Sequence, residues 1–399
     1  MKWYPNIAQA VISALTDIFN DERQADKVIS FLLKSQKKWG SKDRRFTAQL
    51  LYDVVRWKRL YETLANDSIL SKSGKWKIIG IWSILHKHPL PDWKEFEPLK
   101  EIDFFKKTKQ IQDEKIIQSI PDWLHEAGKK ELGAQWLDEI SALNAEAEVV
   151  IRTNTLKTNK TKLQQILSSE NIESHTKNDF PDALFIKGRK KLTHLKAYRN
   201  GLFEIQDASS QLVAPFSSAK PEMTVIDACA GAGGKTLHLA AQMKNKGEIL
   251  AYDIYQPKLD ELQKRAQRNA VKSIREVAVI SEEIIKKNLD KADILLLDAP
   301  CSSIGTLRRK PDLKWKLNPE RIKQINLTQK NIIHDYAGMV KKNGLLVYVT
   351  CSIFPSENQE IVKNFLKQNK NFIFVAEKTI LPSESGHDGF YMAKLQKAK

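Results

Sequence analysis

Residues 224–243 read TVIDACAGAGGKTLHLAAQM. An apolar, β-branched run from Thr224 to Ala228 stops at a loop with glycines at 231, 233 and 234, and a helical pattern starts at Lys235. Glycine lets backbone approach a ligand closely, and the start of a helix presents unsatisfied N–H groups to it. A tight strand-to-helix turn with no ligand is the plain alternative. The rest of the chain decides between the two.

From about Met223 onward strands and helices alternate strictly. The strands are TVIDA (224–228), EILAYD (248–253), REVAVI (275–280), DILLLDA (293–299) and GLLVYVT (344–350), separated by helical stretches such as PKLDELQKRAQRNA and ERIKQINLTQKNIIHDYAGMV. Such alternation predicts a doubly wound α/β domain with a mainly parallel sheet. Ligands bind such sheets outside the carboxyl ends of the strands, so the residues just beyond each strand carry the interest.

Three ligand readings compete at the glycine loop. A phosphate-binding loop needs glycine five residues before Gly234-Lys235-Thr236, where Cys229 stands. The dinucleotide fingerprint needs glycine where Thr236 stands. What remains is the glycine-rich turn of a class I S-adenosylmethionine site. Asp253 ends the second strand 19 residues after Gly234, where a carboxylate accepts ribose hydroxyls. Any adenosine-bearing cofactor would use that carboxylate.

The fourth strand ends in Asp298-Ala299-Pro300-Cys301 and the fifth in Thr350-Cys351. A lone unpaired cysteine is ordinarily a small core residue. Two cysteines at equivalent strand ends beside a cofactor loop instead suggest covalent catalysis. Asp298 reads either as a solvated strand cap or as a carboxylate for a nucleobase amino group. The three cysteines include no CxxC pair, so neither a disulfide framework nor a bound metal is expected, in keeping with a reducing cytoplasm.

Before residue 145 the texture differs, with eight of the nine tryptophans preceding residue 140. Apolar residues recur at helical spacing, as in Phe46, Leu50, Val54 and Trp57, and Ser41 is the expected N-cap of that helix. An all-helical domain over 1–144 follows. Residues 145–212 alternate short strands (VVIRTNTLK, DALFIKG, GLFEIQD) with one helix, a small α+β unit whose loops carry Arg152, Asn154, Lys187 and Arg189. No apolar run is long enough to cross a bilayer, and the opening residues lack a signal-peptide cleavage pattern.

The chain carries 65 Lys and Arg against 48 Asp and Glu, a net charge of +17, which points to a polyanionic partner, nucleic acid before a membrane surface. Arg152 and Asn154 of the small unit and Arg308, Arg309 and Lys310 beside the fourth strand are the expected RNA contacts; a solvated basic face is the alternative for the last three.

DACAGAGGKT, DAPCS and TCS, with RRKPDLKW and HDGFYMAKL, together resemble the RNA 5-methylcytosine methyltransferase family that includes the bacterial RsmB (Sun/Fmu) enzymes. GSKDRRFTAQLLYDVVR resembles the NusB-like helical domain of those enzymes, and IRTNTLK with FEIQDASSQLVA their RNA-binding subdomain. The resemblance implies a Rossmann-like class I methyltransferase domain over 213–399, behind a NusB-like domain (1–144) and an RNA-binding subdomain (145–212). It implies Cys351 as nucleophile, Cys301 as the residue assisting product release and Asp298 as a contact to the cytosine ring. Cys229, Ala230, Gly231, Ala232, Gly233, Gly234, Lys235, Asp253 and Asp298 would hold S-adenosyl-L-methionine; for the acidic residue that the family usually has near the adenine at the end of the third strand, the sequence offers Glu282 or Glu283, slightly displaced. Ala232 stands where the family usually has proline. The implied substrate is small-subunit ribosomal RNA, bound by a cytoplasmic monomer; transfer RNA, or a noncatalytic role in ribosome assembly, are the competing readings.

Overall fold

The computed structural model describes residues 3–398, which fall into two compact units. The first comprises the chain up to Asn144 together with Leu307–Pro319, and the second comprises Ala145–Thr306 with Glu320–Lys399.

Helices Pro5–Phe19, Ala25–Ser35, Ser41–Arg56, Lys58–Ala65 and Lys72–Leu85 each turn an apolar stripe into the core of the first unit. Phe46, Leu50 and Val54 are buried at their predicted spacing, and Trp3, Trp39, Trp82 and Trp136 are buried too: Trp3 meets Phe46 edge-on at 5.1 Å and donates to Ser83 Oγ at 3.0 Å. Two details depart from expectation. Gly40, not Ser41, caps the third helix, with the Asp43 carboxylate accepting from Gly40 N at 3.1 Å. The helix whose apolar spacing runs from Phe46 to Trp57 breaks at Trp57, and the next helix has one first-turn amide satisfied by Ser119 Oγ, 2.9 Å from Arg59 N.

The basic strip RRKPDLKW, expected to face RNA, folds into this helical unit. Lys314 is fully buried and donates to Asn144 Oδ1 at 2.9 Å, while Trp315 Nε1 donates to the Val55 carbonyl at 2.6 Å. Asp312 accepts from Ala25 N at 3.1 Å, and Arg56 Nη2 donates to the Arg308 carbonyl at 2.9 Å. Burial pushes the Lys314 amine well below its ordinary range. Arg308 is buried and Arg309 half-buried, so of the three expected phosphate contacts only Lys310 is exposed. The ninth tryptophan thus joins the other eight.

In the second unit β1 (Val149–Thr153), β2 (Ser174–His175), β3 (Ala183–Ile186) and β4 (Phe203–Ile205) form an antiparallel sheet in the order β2-β3-β1-β4. Its expected RNA contacts are not available. Arg152 and Asn154 are 2% and 3% exposed, and Asn154 Nδ2 donates to the carbonyls of Gly201 and Asn269 at 2.8 and 2.9 Å. A polar residue whose hydrogen bonds are all made internally has none left for a phosphate.

The larger sheet contains β5 (Thr224–Asp227), β6 (Glu248–Asp253), β7 (Ile274–Val279), β8 (Ala292–Asp298), β9 (Val340–Thr350), β10 (Phe372–Ile380) and β11 (Phe390–Lys397), in the order β10-β11-β9-β8-β5-β6-β7. β5 to β9 are parallel as predicted, while β10 and β11 add an antiparallel edge that the strand pattern does not announce. Leu295, Leu297 and Tyr348 bury into the core on one face and Ile294, Leu296 and Val347 on the other, which is why these strands read as continuous apolar runs. Strand addition reverses direction between β5 and β8, leaving a crevice at their carboxyl ends. Among the described residues no helix is long and apolar enough to cross a membrane.

Trp315→Ala is expected to destabilise the helical unit by about 2 kcal/mol through lost packing and an orphaned Val55 carbonyl. Urea unfolding followed by tryptophan fluorescence checks this.

Candidate active site

The glycine loop fills one side of the crevice. Gly231 and Gly233 take φ of 53° and 84°, a region that costs other residues strain. A Cβ at Gly233 would come within 2.7 Å of Leu262 Cγ, whereas one at Gly231 would meet only Asp253 Oδ2 at 4.0 Å. Gly233 therefore packs the loop down and Gly231 leaves its outer surface open. Asp253 Oδ2 accepts from Gly231 N at 2.8 Å and Oδ1 from Tyr255 N at 3.0 Å, so both oxygens are fixed by backbone amides. Asp227 Oδ2 accepts from Thr236 Oγ1 at 2.7 Å, while its buried Oδ1 has no partner. Burial pushes this carboxyl up to about 7, against the Thr236 bond. An open glycine surface, a pinned carboxylate and an orphaned acceptor fit a methionine-and-ribose cofactor. Glu282 does not join them: it is 89% exposed and pairs with Lys286 at 3.6 Å.

Two arginines hold this loop from behind. Arg265 Nη1 donates to the Ala232 carbonyl at 2.6 Å and Arg152 Nη1 to the Gly234 carbonyl at 2.7 Å. The first bond restrains the loop where the resembling family has proline. The second comes from β1 of the small sheet, and Gln206 accepts from the same Arg152 nitrogen. Burial draws Arg152 down to about 10, which leaves it charged at neutral pH. Burial opposes the charge on Glu204, yet Arg265 and Arg268 hold its carboxyl below the ordinary range. Arg152 therefore serves the cofactor loop rather than RNA.

The other side of the crevice holds the thiols. β8 and β9 are hydrogen-bonded neighbours, and their ends bring Cys301 Sγ within 3.3 Å of Cys351 Sγ. Ser303 Oγ lies 3.3 Å from Cys351 Sγ, presented by a left-handed backbone turn at φ 60°. The hydrogen bond from Cys301 holds the Cys351 thiol below its ordinary value, aided by Ser303 and the Lys235 ammonium against burial and the Asp298 charge. The same bond and burial push Cys301 well up, with Glu357 adding to the effect.

Lys235, expected at the cofactor, pairs with Asp298, which is expected there too. Its Nζ donates to Asp298 Oδ2 at 2.6 Å, a pair beside Cys351. Burial opposes its charge, but Asp298 raises it above the ordinary amine range. Gly305 N donates to the Cys351 carbonyl at 3.0 Å and Gly389 N to the Gly305 carbonyl at 2.8 Å, so HDGFY closes the loop that carries Cys351; a Cβ at Gly305 would lie 2.8 Å from Cys351 O. Ser303 and Glu357 carry no sequence signal beyond their closeness to the two cysteines.

Sequence and structure comparisons place the chain among known proteins. The family model for the 16S rRNA methyltransferase RsmB/F matches residues 216–396, and that for the ferredoxin-like domain of RsmF/B-like methyltransferases matches residues 120–193. A probable ribosomal RNA small subunit methyltransferase B of Synechocystis is 29% identical over 98% of this chain and 99% of its own. A probable enzyme of the same name from Bacillus subtilis is 31% identical over 70% of this chain and 66% of its own. Among solved structures, the protein PH0851 superposes over 100% of both chains with a TM-score of 0.84 at 25% identity.

Arg152→Ala is expected to weaken S-adenosylmethionine binding about tenfold or more, the worth of a charged hydrogen bond. Arg152→Lys recovers part of this, since one ammonium cannot reproduce the planar fork. Isothermal titration with the cofactor reads both variants.

Proposed function

Because this chain belongs to the RsmB/F family of 16S rRNA methyltransferases, whose methyl donor is S-adenosyl-L-methionine, we propose that it methylates carbon 5 of a cytosine in small-subunit ribosomal RNA through a covalent adduct with Cys351. The observation that carries the reading is the pair of thiols 3.3 Å apart at adjoining strand ends, one held below and the other above the ordinary thiol range. A methyltransferase acting on an oxygen or an exocyclic nitrogen has no use for such a pair.

The glycine loop, Asp227 and Asp253 would hold the cofactor, which supplies an electrophilic methyl group when bound. Carbon 5 of cytosine is a weak nucleophile. Attack of the Cys351 thiolate on carbon 6 forms a carbon–sulfur bond and moves an electron pair toward ring nitrogen 3, so carbon 5 becomes enamine-like. The Lys235–Asp298 pair faces this charge: Asp298 accepts from the cytosine amino group, and Lys235 compensates the negative ring. After methylation the carbon 5 proton leaves to a base, the double bond re-forms, and the pair in the carbon–sulfur bond returns to Cys351. Cys301, protonated and adjacent, stabilises that departing thiolate by donating to it.

The target base must leave its stack to reach the crevice. The net charge of +17 supports a polyanionic partner, and we assign RNA holding to the exposed cations of the helical unit and the small sheet, Lys187 and Lys310 among them. The buried Arg152, Asn154 and Arg308 are excluded from that role by their internal positions.

With small-subunit RNA and labelled cofactor, Cys351→Ala is expected to lose on the order of 10⁴-fold in rate and form no adduct. Retained turnover would overturn the nucleophile assignment. Cys301→Ala is expected to trap a covalent protein–RNA complex visible on a denaturing gel. Lowering the pH protonates Cys351 and removes the nucleophile, so the acid limb of the rate profile should lie below the ordinary thiol range of about 8.5. A profile rising only above that value would contradict the depressed thiol.

A further inference from the structure

Six residues beyond the nucleophile, the 3₁₀ turn Pro355–Glu357 returns a carboxylate beneath both thiols. Glu357 is wholly buried. Its Oε1 accepts from Ser302 Oγ at 2.5 Å and Ser352 Oγ at 2.6 Å. Its Oε2 accepts from Ser302 N at 2.7 Å and Gln329 Nε2 at 3.4 Å. Ser302 directly follows Cys301, and Ser352 directly follows Cys351. One carboxylate therefore grips the residue after each cysteine. Its supports are themselves fixed. Tyr348 donates its hydroxyl to the Glu357 carbonyl at 2.8 Å, and Asn358 Nδ2 donates to the Ser352 carbonyl at 3.0 Å.

All four contacts to the carboxylate are donors, and a carboxylate accepts without donating, so the bonds are matched to its ionised form. Burial pushes the Glu357 carboxyl above its ordinary range, and the bonds from Ser302 and Ser352 oppose that rise. The charges around the two sulfurs differ. On Cys351 the Lys235 ammonium works against the Asp298 carboxylate, whereas on Cys301 the Glu357 carboxylate adds to the rise.

We propose that Glu357 is the positioning residue of the two-thiol site, holding Cys301 and Cys351 at their mutual distance and keeping the shared proton on Cys301. This rests on the covalent reading above, because only a reaction with one thiolate and one thiol needs that asymmetry. Glu357 touches neither sulfur and acts through Ser302, Ser352 and its charge. An ionised Cys301 would compete with Cys351 for the proton and could not donate to the departing sulfur.

The test is alkylation by iodoacetamide across a pH series, with each cysteine quantified by peptide mass spectrometry in the full chain. It uses neither RNA nor cofactor. Wild-type protein should alkylate at Cys351 in preference to Cys301 at neutral pH. Glu357→Gln keeps the shape and removes the charge, since its amide oxygen can accept from Ser302 N while its NH₂ turns to the two hydroxyls. Cys301 alkylation in this variant should begin at lower pH and rise several-fold at neutral pH. Glu357→Asp, which keeps the charge, should restore the preference for Cys351. Thermal melting runs alongside, because a stability loss alone would leave the ratio of the two alkylation profiles unchanged. Profiles for Glu357→Gln that match wild type in both cysteines would overturn the proposal. Methylation assays then separate the two readings. Loss of kcat at unchanged KM for RNA and cofactor supports positioning, whereas wild-type protein that shows the thiol asymmetry but methylates no RNA refutes the function and leaves the positioning intact.

Discussion

Between β5 and β8 the parallel sheet changes the side on which strands are added, so neither crossover helix can cover the carboxyl ends of these two strands. The glycine loop leaves β5 and Asp298 ends β8, which brings the loop and this carboxylate to one crevice, joined by the Lys235–Asp298 bond. β9 lies next to β8 in parallel register, Asp298 opposite Val349, and so both chains leave the sheet at the same level. A one-residue slip between those strands would turn alternate side chains to the other face and separate the sulfurs. The apolar residues on both faces hold that register, since shifting it would expose Leu295, Leu297 and Tyr348 together.

Strand ends were legible in the sequence because their signals are local. A β-branched run stopping at a glycine, aspartate or cysteine is visible within a few residues, and all five parallel strands lie within one residue of their expected limits, save for the earlier start of β9. The two catalytic candidates follow from strand ends alone. Glu357 was not legible, because half of its bonds run to Ser302, 55 residues earlier in the chain. Arg152 was misread for a related reason: charged side chains are exposed by default, and the carbonyl that buries this one lies 82 residues away.

The strip RRKPDLKW shows what outweighs a charge count. Its cationic residues suggested phosphate binding, yet it contains the one tryptophan outside the region where the other eight occur. That outlier was the usable signal. A tryptophan needs apolar neighbours and a partner for its N–H, and Trp315 finds both in the helical unit through the Val55 carbonyl and the Lys58 ammonium 4.9 Å from its ring. The chain leaves the sheet fold after Thr306 and returns at Glu320, so Leu307–Pro319 are committed to the helical unit.

Buried and half-buried charged groups recur around the crevice, and withdrawing a charge from water carries a desolvation cost. Arg152 and Arg265 meet carbonyls of the glycine loop, Lys235 meets Asp298, and Glu357 meets four donors. Apolar residues of similar size would fill the same space at no desolvation cost, so packing does not explain the choice. Apolar contacts, however, tolerate sliding, because the hydrophobic effect has no direction. Hydrogen bonds from a guanidinium or onto a carboxylate fix distance and angle together. Lys314 offers a contrast within the same chain: it faces Asn144 and no carboxylate, and burial drives it toward the neutral amine. At the crevice such matched partners matter most, because a loop displaced by an ångström would carry a thiol or the glycine loop out of reach.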